Sequence, residues 1–328
     1  MKLASVDIGT NTAQMLVVES RTQGCFEVLA DIHAIVRLGE GVDATHAISE
    51  AAFERLRQVV MMHQNRLETL GINHAAFVAT SAMRDASNRD SIIARIEQEF
   101  GVRIELLSSQ DESRFSYRGA ASGLQNLAQG EALATLDIGG GSTELSFGEG
   151  SHFLRGTSMD IGALRLTERF LTAKPYNREQ IVKAREYIRS VLKQSPSGTP
   201  KLSRIVAVSG TPTSLAAMAL KLATFDQAAV HGYILSRPII RSLIEIITTS
   251  TADELIATYP AIHPGRADIC LAGSLILDET LDMLGLDTVT VSTYGLHYGI
   301  AIRELERAYN LGEQVWVVKQ AGLVLAQQ

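Results

Sequence analysis

The sequence predicts an α/β protein of two similar domains, and three observations support that prediction. An aspartate–glycine turn follows a buried strand twice, in "VDIGTNT" from Val6 and in "LDIGGGSTEL" from Leu136. Each turn lies in a meander of strands that is followed by alternating helices and strands. The two aspartates, Asp7 and Asp137, are separated by the length of a typical domain, which indicates an internal repeat. The chain has 328 residues, which is long enough for two domains that each bury a core.

The first half alternates between apolar strands and amphipathic helices. The pattern predicts strands in "LASVDIGT", "AQMLVVES", "CFEVLADIHAIVRLG", "AAFVATS" and "VRIELLS". A long helix follows Ser49, which can cap it, and ends at Gly71. Two further helices are predicted in "NRDSIIARIEQEFG" and "DESRFSYRGAASGL".

The second half repeats this order. The pattern predicts strand, turn and strand in "ALATLDIGGGSTELSFGEG", then a strand and helix in "HFLRGTSMDIGALRLTERFL" and a long helix in "NREQIVKAREYIRSVLKQ". A loop, "SPSGTP", leads to the strand "RIVAVSG" and the helix "PTSLAAMALKL". Helices at 236–250 and 265–284, the strand "TVTVST" and the helix "GLHYGIAIRELERAY" complete the predicted order.

Composition and charge narrow the class of protein. The chain is 46% hydrophobic with a formal net charge of −6, which argues against a non-specific nucleic-acid or membrane binder. No apolar stretch of about 18 residues is present, so no transmembrane helix is expected. Cys25 and Cys270 are expected to be free thiols in a reducing cytosol, and the eight histidines lack the close pairing of a zinc site. We therefore expect a soluble, cytoplasmic protein without a structural metal.

The two glycine turns offer the chemistry of a phosphate site. Backbone N–H groups in a concave turn bind anions, and glycine permits both close approach and positive φ. The carboxylates of Asp7, Asp137 and Glu144 could hold Mg²⁺ against phosphate oxygens. Residues expected to contact phosphate at the two turns are Thr10, Asn11, Thr12, Gly139, Gly140, Gly141, Ser142 and Thr143.

The glycine turns could also have a purely structural role. Their glycines could simply satisfy the geometry of two tight β-hairpins. Two common nucleotide-binding motifs do not match. No Gly-Lys-Ser/Thr follows the glycines, so they do not form a Walker A loop, and the strand after them argues against a dinucleotide fingerprint.

Together with "VSGTPTSLA", "ATSAMRDA" and "SSQDESR", these segments resemble the exopolyphosphatase and guanosine pentaphosphate phosphatase family. The resemblance runs from Val6 to about Arg307. It implies two actin-like (ribonuclease H-like) domains with a cleft between them, at 1–125 and 126–299. The C-terminal helix and tail, 300–328, would pack back on the first domain, and a homodimer is expected.

The resemblance also implies the reaction. The expected activity is hydrolysis of the terminal phosphoanhydride of inorganic polyphosphate, or alternatively of the 5′-phosphate of guanosine pentaphosphate (pppGpp), with Mg²⁺. It gives Glu112 the role of general base and Arg84 that of stabilising transition-state charge. Positioning and electrostatics would supply most of the catalysis.

Each implied role has a plainer alternative. Glu112 could form a capping box with Ser109 and only close the start of a helix. Arg84 could make a surface ion pair with Asp85 or Asp90.

Two more segments match family positions near the phosphate. Ser209, Gly210 and Thr211 lie between a strand and a helix whose N–H groups can face an anion, with Thr211 as the expected cap. Arg37 also matches, although it could be a solvated charge at a strand end. A plain strand–helix turn is the alternative for the first segment.

The chain also departs from the family pattern. Thr293 and His297 stand where relatives commonly have aspartate and arginine, which puts substrate affinity and chain-length preference in doubt. His297 is expected to be a packed or surface histidine. The apolar tail at 315–318 is expected to pack on the first domain or on a partner subunit.

A long polyanion needs a basic track beyond the active site, for which Lys183, Arg185 and Arg189 are candidates.

Two other functions stay open from the sequence alone. One is a superfamily kinase, which would need a nucleotide pocket and a sugar-binding segment, and the other is a non-enzymatic actin-like ATP switch.

Overall fold

The computed structural model describes residues 1–124, 130–173, 176–194 and 202–319, together with the strand at 325–327. It divides into two compact units. The first unit consists of Met1–Gln125 and Tyr294–Gln328, and the second of Asn126–Thr293. The sequence placed the second boundary at 299, but the ring of Tyr294 stacks on Tyr298 in a core of the first unit, 4.0 Å between centroids.

The elements follow one another along the chain in this order. The first stretch contains β1 (Lys2–Ile8), β2 (Thr12–Thr22), β3 (Cys25–Ile35), α1 (Val42–Thr45), α2 (Glu50–Thr69), β4 (Ala75–Ala79), α3 (Ser81–Asp85), α4 (Arg89–Phe100), β5 (Ile104–Leu106) and α5 (Ser109–Ser122). The second unit contains β6 (Ala132–Ile138), β7 (Thr143–Glu149), β8 (His152–Met159), α6 (Ala163–Phe170), α7 (Arg178–Leu192), β9 (Arg204–Val208), α8 (Gly210–Ala219), α9 (Gln227–Val230), β10 (Ile234–Ser236), α10 (Arg237–Thr249), α11 (Ala252–Thr258), α12 (Pro264–Ala267), α13 (Cys270–Leu284) and β11 (Thr288–Val291). The chain then returns to the first unit with α14 (Leu296–Tyr309), β12 (Val317–Lys319) and β13 (Leu325–Gln327).

Both units have a mixed sheet whose five central strands follow the same order, β3-β2-β1-β4-β5 and β8-β7-β6-β9-β11. In the first unit the order is β12-β3-β2-β1-β4-β5, with β13 also paired to β3. In the second it is β8-β7-β6-β9-β11-β10. In both, an antiparallel meander of three strands is followed by two parallel strands reached by crossovers. Strand β12 adds parallel to β3 at the meander edge of the first sheet, and β10 adds antiparallel to β11 at the other edge of the second. This order confirms the predicted α/β, ribonuclease H-like (actin-like) fold and the internal repeat.

Local sequence features account for the long helices. Ser49 caps α2, because its side chain accepts a hydrogen bond from the N–H of Ala52 at 3.2 Å. The apolar stripe of α2 is buried, and Gly71 follows the helix with φ 66°. Helix α4 ends in the same way at Gly101, with φ 65°. These predicted boundaries are confirmed.

The tail adds a strand that the sequence did not predict. Strand β12 pairs parallel to β3, and Trp316 is buried near Phe26 and Tyr309. Val315 and Val317 stay exposed, at 62% and 55%. The predicted loop "SPSGTP" lies outside the described residues.

Two further observations bear on the sequence predictions. Cys25 and Cys270 are both free thiols, as expected. Within the described ranges, no helix combines the length and the apolar character needed to cross a membrane.

Candidate active site

The two glycine turns have the same backbone geometry. The N–H of Gly9 donates to the carbonyl of Thr12, and the N–H of Gly139 donates to the carbonyl of Ser142, each at 3.0 Å. A Cβ at Gly9 would lie 2.9 Å from the Thr12 oxygen, and one at Gly139 would lie 3.0 Å from the Ser142 oxygen. Positive φ, which glycine permits, is not used at these two glycines or at Gly140 and Gly141. Glycine is required at Gly9 and Gly139 by the closeness of the carbonyl across the turn.

The loop after β3 packs on the first turn. The N–H groups of Val36 and Arg37 both donate to the carbonyl of Asn11 at 3.0 Å, and that of Gly39 donates to Thr10 at 2.9 Å. Arg37 has φ 43°, an uncommon left-handed conformation for a non-glycine residue. The structure therefore brings Arg37 to the turn that contains the predicted phosphate contacts.

Arg84 and Glu112 meet at the carboxyl edge of the first sheet. Arg84 lies in α3 after β4 and Glu112 lies in α5 after β5, and these two strands are parallel neighbours. Arg84 Nη1 donates to Glu112 Oε2 at 2.5 Å and to the carbonyl of Leu107 at 3.2 Å. The two charged side chains are 18% and 9% exposed. The proposed surface pair of Arg84 with a neighbouring aspartate is therefore wrong.

The capping role considered for Glu112 is also wrong. Helix α5 is capped by Ser108, whose hydroxyl accepts from the N–H of Asp111 at 3.1 Å and donates to its carboxylate at 2.7 Å. The capping pair is therefore one residue earlier than Ser109 and Glu112. Because Ser108 and Asp111 form the cap, the Glu112 carboxylate is turned toward Arg84.

Asp137 and Glu144 stand side by side at the second turn. They are directly opposite each other in the β6–β7 hairpin, so their side chains share one face of the sheet. Ser209 donates to Asp137 Oδ1 at 2.5 Å, and Ser158 donates to Glu144 Oε1 at 2.6 Å. Both carboxylates are buried. Oxygen donors of this kind suit a hard cation such as Mg²⁺, so the residues present fit that ion.

The carbonyls of the glycine run point toward α6. The N–H groups of Ala163 and Leu164 donate to Gly139 and Gly140 at 2.9 Å, and Arg165 Nε donates to the carbonyl of Gly141 at 2.7 Å. A trans peptide places N–H opposite to C=O. The N–H groups of Gly140, Gly141 and Ser142 therefore point away from α6, in the arrangement of an anion-binding turn.

Thr143 contributes less than expected at this turn. Its hydroxyl donates to the carbonyl of Ile161 at 2.5 Å. That bond uses the proton that was expected to serve a phosphate oxygen, so Ser142 is left as the hydroxyl candidate.

The turn at Ser209 has a strained backbone, and an arginine from a distant part of the chain packs on it. Helix α8 starts at Gly210 with Ser209 as its N-cap residue, so the expected capping by Thr211 is wrong. Ser209 has φ 78°, a conformation that costs about 1–3 kcal/mol in a non-glycine residue and is often found at functional sites. A Cβ at Gly210 would lie 3.0 Å from Arg266 Nε, so this guanidinium packs directly on the turn.

Arg165 and Arg266 are therefore candidate phosphate contacts that the sequence prediction missed. Neither lies in a motif, and Arg266 is distant from Gly210 along the chain. Only the packing of α6 and α12 brings these cations to the turns.

The three cations considered for a basic track are all paired with acidic side chains. Arg185 Nη1 contacts Asp278 at 2.8 Å, Arg189 Nε contacts Glu279 at 2.6 Å, and Lys183 contacts Glu179 at 2.6 Å. Arg185 and Arg189 neutralise the buried acids Asp278 and Glu279, so much of their charge is already paired.

The two departures from the family pattern occupy different environments. The hydroxyl of Thr293 lies 3.2 Å from Gln227 Nε2 and from His231 Nδ1. His297 is buried in the first unit, 3.5 Å from Asp31, which agrees with the expectation of a packed histidine.

A comparison with known protein families identifies this combination of fold and site. The sequence model of the Ppx/GppA phosphatase family matches residues 16–308 of this chain. The chain belongs to the Ppx/GppA phosphatase family, and the resemblance found in the sequence is confirmed.

Individual relatives match over most of the chain. Exopolyphosphatase 2 of Mycobacterium tuberculosis is 33% identical over 92% of this chain and 98% of its own length. The crystal structure of an exopolyphosphatase from Cytophaga hutchinsonii has a TM-score of 0.86 at 25% identity, covering 96% of this chain and all of that one. A guanosine-5′-triphosphate,3′-diphosphate pyrophosphatase of Vibrio vulnificus is 27% identical over 91% of this chain and 58% of its own length.

Proposed function

We propose that the protein is an exopolyphosphatase that hydrolyses the terminal phosphoanhydride of inorganic polyphosphate and releases phosphate. The observation that carries the proposal is the buried pair of Arg84 and Glu112 at the carboxyl edge of the first sheet, with the helix cap made by other residues. The relative from Mycobacterium tuberculosis is named an exopolyphosphatase, and this chain matches nearly the whole of its length. That match supports polyphosphate as the substrate.

Glu112 acts as the general base in this proposal. Its carboxylate accepts a proton from water as the water oxygen forms a bond to the terminal phosphorus. The bridging P–O bond breaks, and the shortened chain leaves with that electron pair. Arg84 orients the carboxylate through Nη1, so its Nε and Nη2 donors can serve oxygens of the transferred phosphoryl group.

The glycine turns hold the phosphate. In the second unit the N–H groups of Gly140 to Ser142 and the Ser142 hydroxyl donate to phosphate oxygens, with Arg165 and Arg266 contributing positive charge. Contacts from the first unit come from Thr10, Asn11, Thr12 and Arg37, and from Ser209, Gly210 and Thr211 in the second.

Mg²⁺ is part of the proposal. Asp137 and Glu144 would hold the ion at the second turn, and Asp7 is the corresponding carboxylate proposed as a metal ligand at the first turn. The ion supplies positive charge that offsets the charge of the phosphate oxygens.

The first experiment compares Glu112→Gln with Asp111→Asn. Phosphate release from long-chain polyphosphate is measured with Mg²⁺ under single-turnover conditions. We expect Glu112→Gln to lower the rate by at least about 10²-fold, because general-base catalysis contributes about 10²–10⁴-fold. Asp111→Asn changes the neighbouring acid and should keep most of the rate. Equal rates for wild type and Glu112→Gln would remove the base from the proposal.

The second candidate function is hydrolysis of pppGpp. It is favoured by the relative from Vibrio vulnificus, whose name specifies that substrate. The ratio of kcat/KM for polyphosphate and pppGpp decides between them. A higher kcat/KM for pppGpp that Glu112→Gln also abolishes would keep the site and change the substrate.

We further propose that the protein is a cytoplasmic homodimer. Self-association is supported by two exposed apolar side chains, Val315 just before the edge strand β12 and Val317 at its start. Light scattering coupled to size exclusion would report a mass of twice 35.5 kDa if this is correct.

A further inference from the structure

Three potential metal ligands meet on one face of the first sheet. Asp31 and His33 are two residues apart in β3, so their side chains point to the same side. Helix α14 packs on that side and brings His297. Asp31 Oδ1 lies 2.8 Å from His33 Nε2 and 3.5 Å from His297 Nε2, and one ligand atom from each residue falls within 4.8 Å of the others.

We propose that Asp31, His33 and His297 bind one divalent transition-metal ion of the zinc type. Two imidazoles and a carboxylate suit Zn²⁺ and its first-row neighbours, whereas Mg²⁺ prefers oxygen ligands alone. Metal–ligand bonds of about 2.0–2.2 Å place tetrahedral ligand atoms about 3.3 Å apart. The two observed separations lie on either side of that value, so small side-chain rotations suffice.

Burial supports a metal at this place. The side chains of Asp31 and His297 are only 3% and 2% exposed. Within the part of the chain that the structure describes, His297 Nδ1 has no hydrogen-bond partner, and Nε2 has only the Asp31 carboxylate at 3.5 Å. Burying an imidazole with such poor hydrogen bonding is costly, and coordination of Nε2 would remove part of that cost. His33 is 32% exposed, which leaves solvent access for an ion and a water ligand.

Neighbouring groups orient the ligands. The Tyr298 hydroxyl donates to Asp31 Oδ2 at 3.1 Å, which leaves Oδ1 facing the two histidines. The Gln14 amide nitrogen lies 3.3 Å from His33 Nδ1. The two amide orientations are interchangeable at a site like this, and with Oε1 toward the ring Gln14 would accept the Nδ1 proton. That contact leaves Nε2 as the ligand atom, as at many metal-binding histidines.

The site is separate from the one proposed for Mg²⁺. Gln14 is opposite His33 on one side and opposite Asp7 on the other, so His33 and Asp7 are two strands apart, about 10 Å. A bound ion would tie the first turn of α14 to β3. Binding of the ion is expected to stabilise the first unit. This proposed site does not depend on the proposed reaction.

The test measures metal binding directly. Chelator-stripped protein is titrated with Zn²⁺ by calorimetry, with Mg²⁺ present in excess. We expect one equivalent to bind and the thermal midpoint to rise. His33→Gln, at a partly exposed position, should lower the Zn²⁺ affinity by at least about tenfold, since loss of even an outer contact costs about 10–100-fold. His152→Gln, at an exposed position in β8, is the matched control and should bind normally.

Co²⁺ provides a readout that needs no variant. The wild type should develop the visible absorption of a Co²⁺ ion with nitrogen and oxygen ligands, and Zn²⁺ should abolish it. Absence of saturable Zn²⁺ binding by the wild type, or equal binding by His33→Gln, overturns the proposal.

Discussion

Ser108 and Glu112 have different tasks within the first turn of α5. The sequence allows a cap formed by Ser109 with Glu112. The structure caps the helix with Ser108 and Asp111 instead, which leaves Glu112 for a tertiary contact. Arg84 offers Glu112 a buried ion-pair partner, so its carboxylate is directed at the site.

Replacing the two serines tests this division. We expect Ser108→Ala to lower the free energy of unfolding by about 1 kcal/mol, because the N–H of Asp111 loses its acceptor. Ser109→Ala should stay within about 0.5 kcal/mol, since it changes an exposed side chain. Urea unfolding of both variants measures the difference, and a larger loss for Ser109→Ala would place the cap at Ser109 instead.

Helices α5 and α14 depend on glycine where they cross. A Cβ at Gly119 would overlap the carbonyl oxygen of Gly295, and one at Gly299 would overlap that of Phe115. These contacts hold the helix with Glu112 against the helix with His297. The two helices also share a buried ion pair, in which Arg118 Nη1 donates to Glu306 Oε2 at 2.8 Å.

Gly299→Ala should destabilise the first unit by about 1–3 kcal/mol or more, because the rigid backbone of α5 has to move to admit a methyl group. Gly312→Ala is the control, since a Cβ there would meet nothing within 4 Å. Thermal unfolding of the two variants provides the comparison. A similar midpoint for both would mean that α5 and α14 can separate at little cost.

At the scale of the whole molecule, stability also depends on buried groups that take no part in the proposed reaction. His63 in α2 is fully buried, and burial, with a smaller contribution from the charge of His33, lowers its pKa from 6.5 to about 4. The folded state therefore favours the neutral imidazole, while the unfolded chain takes up a proton below pH 6.5. Stability from this group is present above pH 6.5 and is lost as the pH falls toward 4.

The contribution of His63 to the free energy of unfolding should fall by about 3 kcal/mol between pH 7 and pH 4, because each unit of pKa difference is worth about 1.36 kcal/mol. Unfolding free energies measured between pH 7 and pH 4 should show a shallower decline for His63→Leu than for wild type. His152→Gln, at an exposed position, should follow the wild type. Parallel curves for wild type and His63→Leu would contradict the assignment.

The sequence by itself determined the parts of this protein that depend on local pattern. Apolar runs, helix caps such as Ser49, and two similar glycine turns separated by a domain's length were enough to predict two α/β units with a similar succession of strands and helices. Period and turn chemistry act over a few residues, so they can be recognised in the chain alone. The motif set also identified the family.

Only the tertiary structure decided which side chains meet. Arg84 pairs with Glu112, Arg266 packs on Gly210, and His297 joins His33 from the opposite end of the chain. Arg185 and Arg189, two of the cations considered for a basic track, pair in the same way with buried acids of α13, through the packing of α7 on α13. No period or spacing encodes such contacts, because they depend on how strands and helices distant in the chain pack into a sheet and its covering layer.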